Sequence, residues 1–279
     1  MLVCAIGLGI VLLTIGCIME DIDSLIGILD QKNRGGFDLD IVSISVTPEN
    51  PGSGELVEIS VRVANRGRRR SKETSLNLVI GSSEVSRLDI PPIEVDGESS
   101  LPLPNQLALP AGINTLKFIL DPAGASNDVN KYNNVLATTI VVGEPSNTSS
   151  FSWNYEGINW DLDFRMPTDD IQGLKKDRSI YDYGQYVEYT TPGDRTVRAL
   201  ADALSFYSGQ MEYQSYDEVS FVLAFVQDLP YTSDIETRGD NYPRYPIETL
   251  LDGGGDCEDS SALFASVISN PDFFNYGTA

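Results

Sequence analysis

The sequence predicts an all-β sandwich of immunoglobulin type followed by an α+β domain. Short segments of alternating hydrophobicity, separated by Gly, Pro and Asn, fill residues 37–143. Two segments with apolar residues at helical spacing follow them, and a third helix is predicted to open on a cysteine near the C-terminus. At 279 residues the chain is long enough for about two domains.

An apolar segment without a charged residue occupies positions 2–19. Its length approaches the ~20 residues that a helix needs to cross a bilayer. The segment lacks the basic region that normally precedes a secretory signal, so an uncleaved hydrophobic anchor helix is favoured over a cleaved signal. Two further interpretations of this segment are a lipoprotein signal with Cys17 as its cysteine and a buried core helix. An anchor or a signal places the rest of the chain outside the membrane, with residues 20–36 as a spacer.

The predicted sandwich, residues 37–143, is clearest in its second strand. Apolar residues alternate with polar ones from Val57 to Val63, as in a strand with one buried face. Further strands are predicted at 37–46, 76–80, 84–90, 99–107, 114–120 and 134–142, and their rhythm is typical of an antiparallel sandwich. Residues 144–152 read as a linker by composition. Asn147 begins an Asn-Thr-Ser sequon there and is a possible glycosylation site.

The predicted sandwich also resembles a known module. The stretches Asn50-Pro-Gly52, Val63-Ala-Asn-Arg-Gly67 and Tyr132-Asn-Asn134 resemble the CARDB module of cell-surface proteins over roughly residues 37–142. Oxygen-bearing side chains between the last two strands could bind Ca²⁺, because this ion prefers oxygen ligands. Their spacing is not that of an EF-hand, so calcium is an alternative and not the main prediction. These side chains are Asp121, Asn127, Asp128 and Asn130.

The second domain is predicted to start near residue 153 and to combine strands with helices. Aromatic residues indicate strands at 160–164 and 181–189. Asp194 is a candidate N-cap for a helix whose apolar residues continue to Tyr207. Ser215 and Glu218 have the spacing of a capping box for a second helix, which would end near Gln227.

The third helix of this domain carries the candidate nucleophile, Cys257. Three glycines precede it, Asp256 is placed as the N-cap, and Asp259 is placed to complete a capping box. A thiol in the first turn lies at the positive end of the helix dipole, which favours the thiolate. The neighbouring carboxylates oppose this effect. Gly255 and Asp256 are predicted to support the nucleophile loop, and the Cys257 amide is a candidate oxyanion-hole donor.

The run from Tyr242-Pro-Arg-Tyr-Pro246 to Gly255-Asp-Cys-Glu-Asp259 resembles the nucleophile segment of transglutaminase-like proteins, including a group common in archaeal surface proteins. The resemblance implies a papain-like arrangement, in which a cysteine attacks an acyl group, a downstream histidine activates it and an aspartate orients the histidine. The sequence contains no histidine. We therefore expect this chain not to turn over, and expect residues 153–279 to be a domain incomplete at its C-terminus. A naturally inactive relative is the alternative.

Composition limits the classes of partner. A formal net charge of -22 disfavours nucleic acid and anionic membrane surfaces. The prediction is an extracellular, membrane-anchored protein without a cofactor, whose intact form performs amide hydrolysis or acyl transfer through a Cys257 thioester. The substrate would be a surface protein or a wall peptide. The alternative is a non-catalytic adhesion or scaffold protein that binds other surface proteins or glycans.

Overall fold

The structure is a computed structural model that describes residues 35–174, 176, 178, 180, 183–239 and 242–277. The predicted anchor at 2–19 and nearly all of the spacer at 20–36 lie outside these residues. Within the described ranges, no helix has the length and apolar character needed to cross a membrane.

Ten strands precede five α-helices in the described chain. The strands are β1 (Leu39–Thr47), β2 (Leu56–Asn65), β3 (Thr74–Ile80), β4 (Ser83–Ile90), β5 (Glu98–Pro102), β6 (Leu107–Ala108), β7 (Gly112–Leu120), β8 (Val135–Val142), β9 (Ser146–Tyr155) and β10 (Ile158–Pro167). The helices are α1 (Arg195–Gln210), α2 (Tyr216–Gln227), α3 (Asp234–Thr237), α4 (Pro246–Asp252) and α5 (Cys257–Ile268), and 3₁₀ turns lie at Asp169–Gly173 and Tyr183–Tyr189.

The predicted β-sandwich is confirmed. One sheet has the order β1-β2-β5, with β6 also paired to β2, and the other has the order β4-β3-β7-β8-β10-β9. The alternating residues of β2 behave as predicted, since Val57, Ile59, Val61 and Val63 are buried in the core between the sheets. The strand predicted at 99–107 is divided into β5 and β6. Pro102 and Pro104 supply no backbone donor for a continuous ladder.

The hairpin of β9 and β10 extends the second sheet of the sandwich. β10 pairs in parallel with β8 at Asp163 and Thr138, and antiparallel with β9 along its whole length. Residues 146–152 therefore belong to β9, and this replaces the linker expected from composition at 144–152. The predicted strand at 160–164 is confirmed within β10.

The helices form a third layer on the outer face of the six-stranded sheet. Their core contains Trp153 and Trp160 from the hairpin, Ala137 from β8 and apolar residues of α1, α2 and α5. The Tyr207 hydroxyl of α1 accepts a hydrogen bond from the Ala137 amide and donates one to the carbonyl of Asp161. Buried polar contacts and the shared sheet thus join the helices to the sandwich.

Two expectations for the second part of the chain are wrong. Residues 183–189 form a 3₁₀ turn and not a strand, since tyrosines at 183, 186 and 189 repeat with the three-residue period of that helix. Ser215 precedes α2 but makes no capping bond, because its backbone has φ of 52°. Glu218 instead accepts hydrogen bonds from Ser208 and Tyr276.

Candidate active site

Cys257 is the first residue of α5, and its side chain is exposed. The predicted cap is confirmed: Asp256 is the N-cap, and it exchanges backbone-to-side-chain hydrogen bonds with Asp259. Behind the first turn, Leu263 and Val267 are fully buried in the helical core. The helix is thus anchored at its apolar face while its first turn presents the thiol to solvent.

The glycines before Cys257 allow close approach of the chain to itself. Gly253 has φ of 71° and ends α4 in the left-handed conformation that glycine adopts without strain. A Cβ on Gly254 would lie 2.2 Å from the Pro230 carbonyl oxygen, and a Cβ on Gly255 would lie 2.6 Å from Cβ of Asp259. Gly255 also accepts a hydrogen bond from the Thr232 amide. The predicted supporting role of Gly255 is therefore structural, because it lets two backbone segments meet below the nucleophile.

Arg244 is the buried centre of the network that holds this turn, and sequence reasoning gave it no role. Its Nη1 lies 2.6 Å from Oδ2 of Asp259 and 2.5 Å from Oδ1 of Asp234, and its Nε lies 3.0 Å from Oδ2 of Asp252. The Arg244 amide donates a further hydrogen bond to Asp259. One guanidinium thus connects α3, the end of α4 and the first turn of α5.

A second buried cation supports the approach to the nucleophile. Arg178 pairs with Glu248 at 3.1 Å, and its guanidinium lies 4.8 Å from the ring centroids of Tyr242 and Tyr245. Glu248 also accepts hydrogen bonds from the Tyr242 hydroxyl and the Tyr245 amide. The stretch before the glycines contains α4, with Pro246 in its first turn. Proline is favoured there because its missing N–H has no helical acceptor.

Several carboxylates lie close to the thiol at the start of α5. Burial, followed by the negative charges of Asp259, Asp234 and Glu258, raises the pKa of Asp256 to about 7. Burial also raises the pKa of Asp259, although hydrogen bonds from Arg244 oppose the change. Desolvation and then the charges of Cys257 and Asp256 raise the pKa of the exposed Tyr231 hydroxyl. The thiol is therefore subject to two opposing influences, the positive end of the helix dipole and the nearby carboxylates.

Among the described residues, one acidic group could hold a cation beside the nucleophile. Oxygen atoms of Asp234, Asp256 and Glu258 all lie within 4.8 Å of one another. Both oxygens of Asp234 are already hydrogen-bonded, to Arg244 and to the Tyr242 amide, and Glu258 accepts a bond from the Tyr186 hydroxyl. Arg244 thus already supplies the positive charge on one side of this group.

The carboxylates of the loop between β7 and β8 already accept hydrogen bonds from within the protein. Asp121 accepts bonds from Thr74, from the Ala125 amide and from the amide and hydroxyl of Ser126. Asp128 accepts bonds from the amides of Leu39 and Asn130, and burial raises its pKa to about 6. Few lone pairs of these two carboxylates remain for Ca²⁺. Asn147, the predicted glycosylation site, is exposed within β9.

Comparisons with known proteins match the sandwich. The CARDB family model matches residues 37–138, so the predicted CARDB-like domain is confirmed. The match does not extend to the part of the chain that carries Cys257. None of the curated proteins matches the chain.

Similar solved structures each cover somewhat more than a third of the chain. A domain from Methanosarcina acetivorans, described as part of a cell-surface protein, is 22% identical with a TM-score of 0.34, and the match covers 38% of this chain and 92% of that one. A CARDB domain from Pyrococcus furiosus, solved in complex with di-metal ions, is 20% identical with a TM-score of 0.35, covering 39% of this chain and 94% of that one. Its solution structure is 21% identical with a TM-score of 0.34, covering 38% and 95%.

Proposed function

We propose that this is a cell-surface protein in which the CARDB-like sandwich supports a transglutaminase-like part with Cys257 as its acyl-accepting nucleophile. The expected chemistry is attack of the Cys257 thiolate on an amide or ester carbonyl, loss of the leaving group and formation of a thioester. A surface protein or a wall peptide is the expected substrate class. The apolar segment at 2–19 would hold the protein at the membrane.

The presentation of Cys257 is the observation that carries this proposal. The thiol is exposed in the first turn of a twelve-residue helix, where backbone N–H groups lack intrahelical acceptors. Such groups can stabilise a thiolate and the oxyanion that forms when it attacks a carbonyl. The buried Arg244 binds Asp259 of this turn, Arg178 holds the segment that leads to it, and the glycines let the chain pack closely beneath it. A cysteine that only filled the core would need neither exposure nor this support.

The sequence supplies a nucleophile without an imidazole base, because it contains no histidine. Attack on an activated ester requires only a thiolate and a good leaving group. Attack on an amide also requires a proton donor for the leaving amine. We therefore expect acylation of Cys257 by activated esters and no turnover of amides by this chain alone. The absence of histidine also favours the second candidate, a non-catalytic adhesion or scaffold protein.

Alkylation tests whether folding activates the thiol. At pH 7, Cys257 should react with iodoacetamide faster in the folded chain than in the same chain unfolded in urea, because its side chain is exposed at the positive end of the helix dipole. Peptide-resolved mass spectrometry separates Cys257 from Cys4 and Cys17.

The variant Glu258→Gln provides a matched comparison. Removing this adjacent charge should raise the rate further, since carboxylates next to a thiol oppose its ionisation. Glu73→Gln, at an exposed position of the sandwich, should leave the rate unchanged. A folded chain that reacts more slowly than the unfolded one at Cys257 would favour the adhesion or scaffold reading.

A further inference from the structure

The sandwich has an open edge at β1, and a cleft runs along this edge. β1 is the outer strand of the smaller sheet, so it pairs with β2 on one side only. The cleft has a volume of about 550 Å³, which is within the range of ligand sites. Its walls are residues 44–47 of β1 and residues 138–140 of β8, and Asp163 and Arg165 of β10 also line it.

The backbone groups of Ile44 and Val46 are directed towards the open side of β1. In the pairing with β2, these two residues lie opposite Val61 and Ile59. The Ile59 carbonyl accepts a hydrogen bond from the Leu103 amide, on the side of β2 away from β1. Because hydrogen bonding alternates along an antiparallel pair, Ile44 and Val46 direct their N–H and C=O groups away from β2. Among the described residues, neither amide donates a hydrogen bond to another part of the protein.

Two contacts mark the ends of this open segment. At one end the Ile41 amide donates a hydrogen bond of 3.1 Å to the Asn133 carbonyl. Beyond the other end Arg165 pairs with Glu49 at 2.9 Å, so the charge of this arginine is already compensated. An extended peptide of about four residues fits between these ends, since a strand rises about 3.3 Å per residue. Addition of a strand to an open sheet edge is a recurring mode of peptide recognition.

The larger sheet extends past β1 and supplies a surface beneath an added strand. β1 contacts β8, and the smaller sheet ends at β1. The larger sheet continues from β8 to β10 and β9. A strand added beside β1 therefore lies over β10, at about the 10 Å spacing of stacked sheets.

The exposed face of β10 is acidic. Leu162 lies in the helical core, so the exposed Asp161 and Asp163 on either side of it are on the opposite face of the sheet. One oxygen of each carboxylate accepts a hydrogen bond from a serine hydroxyl of β9, Ser152 or Ser150. Neither carboxylate has a cationic partner within the described part of the chain. This surface therefore favours a cationic side chain above it.

Lysine and arginine match the remaining features of the cleft. Ile44 and Val46 are partly buried against the sandwich core and place apolar side chains next to the acidic surface. The apolar stem of a lysine or arginine can pack on them while its charged end reaches Asp163. At alternate positions of an extended peptide, such residues all lie on one face. The net charge of -22 attracts a basic segment and repels a second copy of this chain.

We propose that β1 binds an extended basic segment of another protein by strand addition, with lysine or arginine at alternate positions. The backbone of this segment pairs with Ile44 and Val46, and its cationic side chains pair with Asp163 and Asp161. The interface is independent of the chemistry proposed for Cys257, because it lies on the other face of the six-stranded sheet. It gives the sandwich a binding edge of its own.

Fluorescence polarisation of labelled peptides, with the full chain in a non-ionic detergent, tests the proposal. The probe is the end-capped peptide Lys-Val-Lys-Val-Lys at about 50 mM salt, where charge pairing is little screened. It should bind with a Kd below about 1 mM. The same peptide with methylated backbone amides keeps its charge but cannot donate to the edge, and should bind at least about tenfold more weakly. The peptide Glu-Val-Glu-Val-Glu should not bind.

Variants of the protein test the backbone and the charges separately. Val46→Pro removes an N–H that β2 does not use, a change that edge strands tolerate, and should weaken peptide binding at least about tenfold. Asp161→Asn combined with Asp163→Asn should weaken it to a similar extent. Asp89→Asn, at an exposed position on β4 at the far edge of the larger sheet, should leave it unchanged. Thermal unfolding verifies that each variant is folded.

The proposal is overturned if the basic peptide does not bind, or if its methylated form binds equally well. It is also overturned if the paired aspartate variant binds the peptide as the unchanged protein does. A second copy of this chain is the competing occupant. Self-association in sedimentation experiments that Val46→Pro abolishes, without any binding of the basic peptide, would assign the edge to that occupant and contradict the proposal.

Discussion

Replacing Arg244 by methionine should destabilise the helical part of the protein by about 3–5 kcal/mol, the range for removing one partner of a buried ion pair. The side chain is 1% exposed and contacts Asp234, Asp252 and Asp259. Methionine preserves much of the volume but leaves Asp234 and Asp259 buried without a countercharge. Urea unfolding followed by the fluorescence of the buried Trp153 and Trp160 measures the change.

Arg238 provides the matched control for this prediction. It also pairs with Asp252, at 2.6 Å, but its side chain is 40% exposed. Arg238→Met should therefore cost less than about 1 kcal/mol, as solvent screens exposed ion pairs. Equal destabilisation by the two variants would show that burial of Arg244 does not set its importance, and would remove the basis for its positioning role.

Replacing Gly254 by alanine should cost roughly 3 kcal/mol, the upper part of the range for overpacked sites. The added Cβ would lie 2.2 Å from the carbonyl oxygen of Pro230, which is backbone and cannot turn aside. The segments 230–232 and 254–255 must then separate, and their hydrogen bonds must lengthen. Both the midpoint of urea unfolding and the alkylation rate of Cys257 should change.

Gly173→Ala is the control for the glycine turn. A Cβ at Gly173 would meet nothing within 4 Å, and its backbone does not adopt a left-handed φ. Its substitution should therefore change the free energy of unfolding by no more than about 0.5 kcal/mol. If Gly254→Ala proved as mild, the contact between Pro230 and Gly254 would not hold the nucleophile loop in solution.

Local patterns in the sequence were sufficient for most strands of the sandwich and for the nucleophile helix. The alternation in β2 and the capping residues Asp256 and Asp259 act within a few residues of themselves, so the sequence displays their cause directly. The strand Ser146–Tyr155 was not predicted, for the opposite reason. Its first residues have the composition of a linker, and only pairing with β10 makes them a strand.

The ion pairs that hold the candidate site could not be predicted either, because they also join residues that are distant in the sequence. Arg244 is flanked by aromatic and proline residues, and nothing local shows that its partners come from positions 234, 252 and 259. An arginine between prolines in an acidic stretch is a weak signal of a buried ion pair. A cleft between residues 119–135 and the end of α1 at residues 210–212 arises only when the helices pack on the sheet.

Acylation of Cys257 tests the central claim most directly. The chain is treated with p-nitrophenyl acetate, and its peptides are then weighed by mass spectrometry. Thiolate attack on the carbonyl expels p-nitrophenolate and leaves an acetyl thioester. Because the sequence contains no histidine to assist hydrolysis, the adduct should accumulate at Cys257. One acetyl group per chain, found at Cys257 and absent from Cys257→Ala, supports the nucleophile. Acetylation confined to lysines, and equal in both proteins, would contradict it.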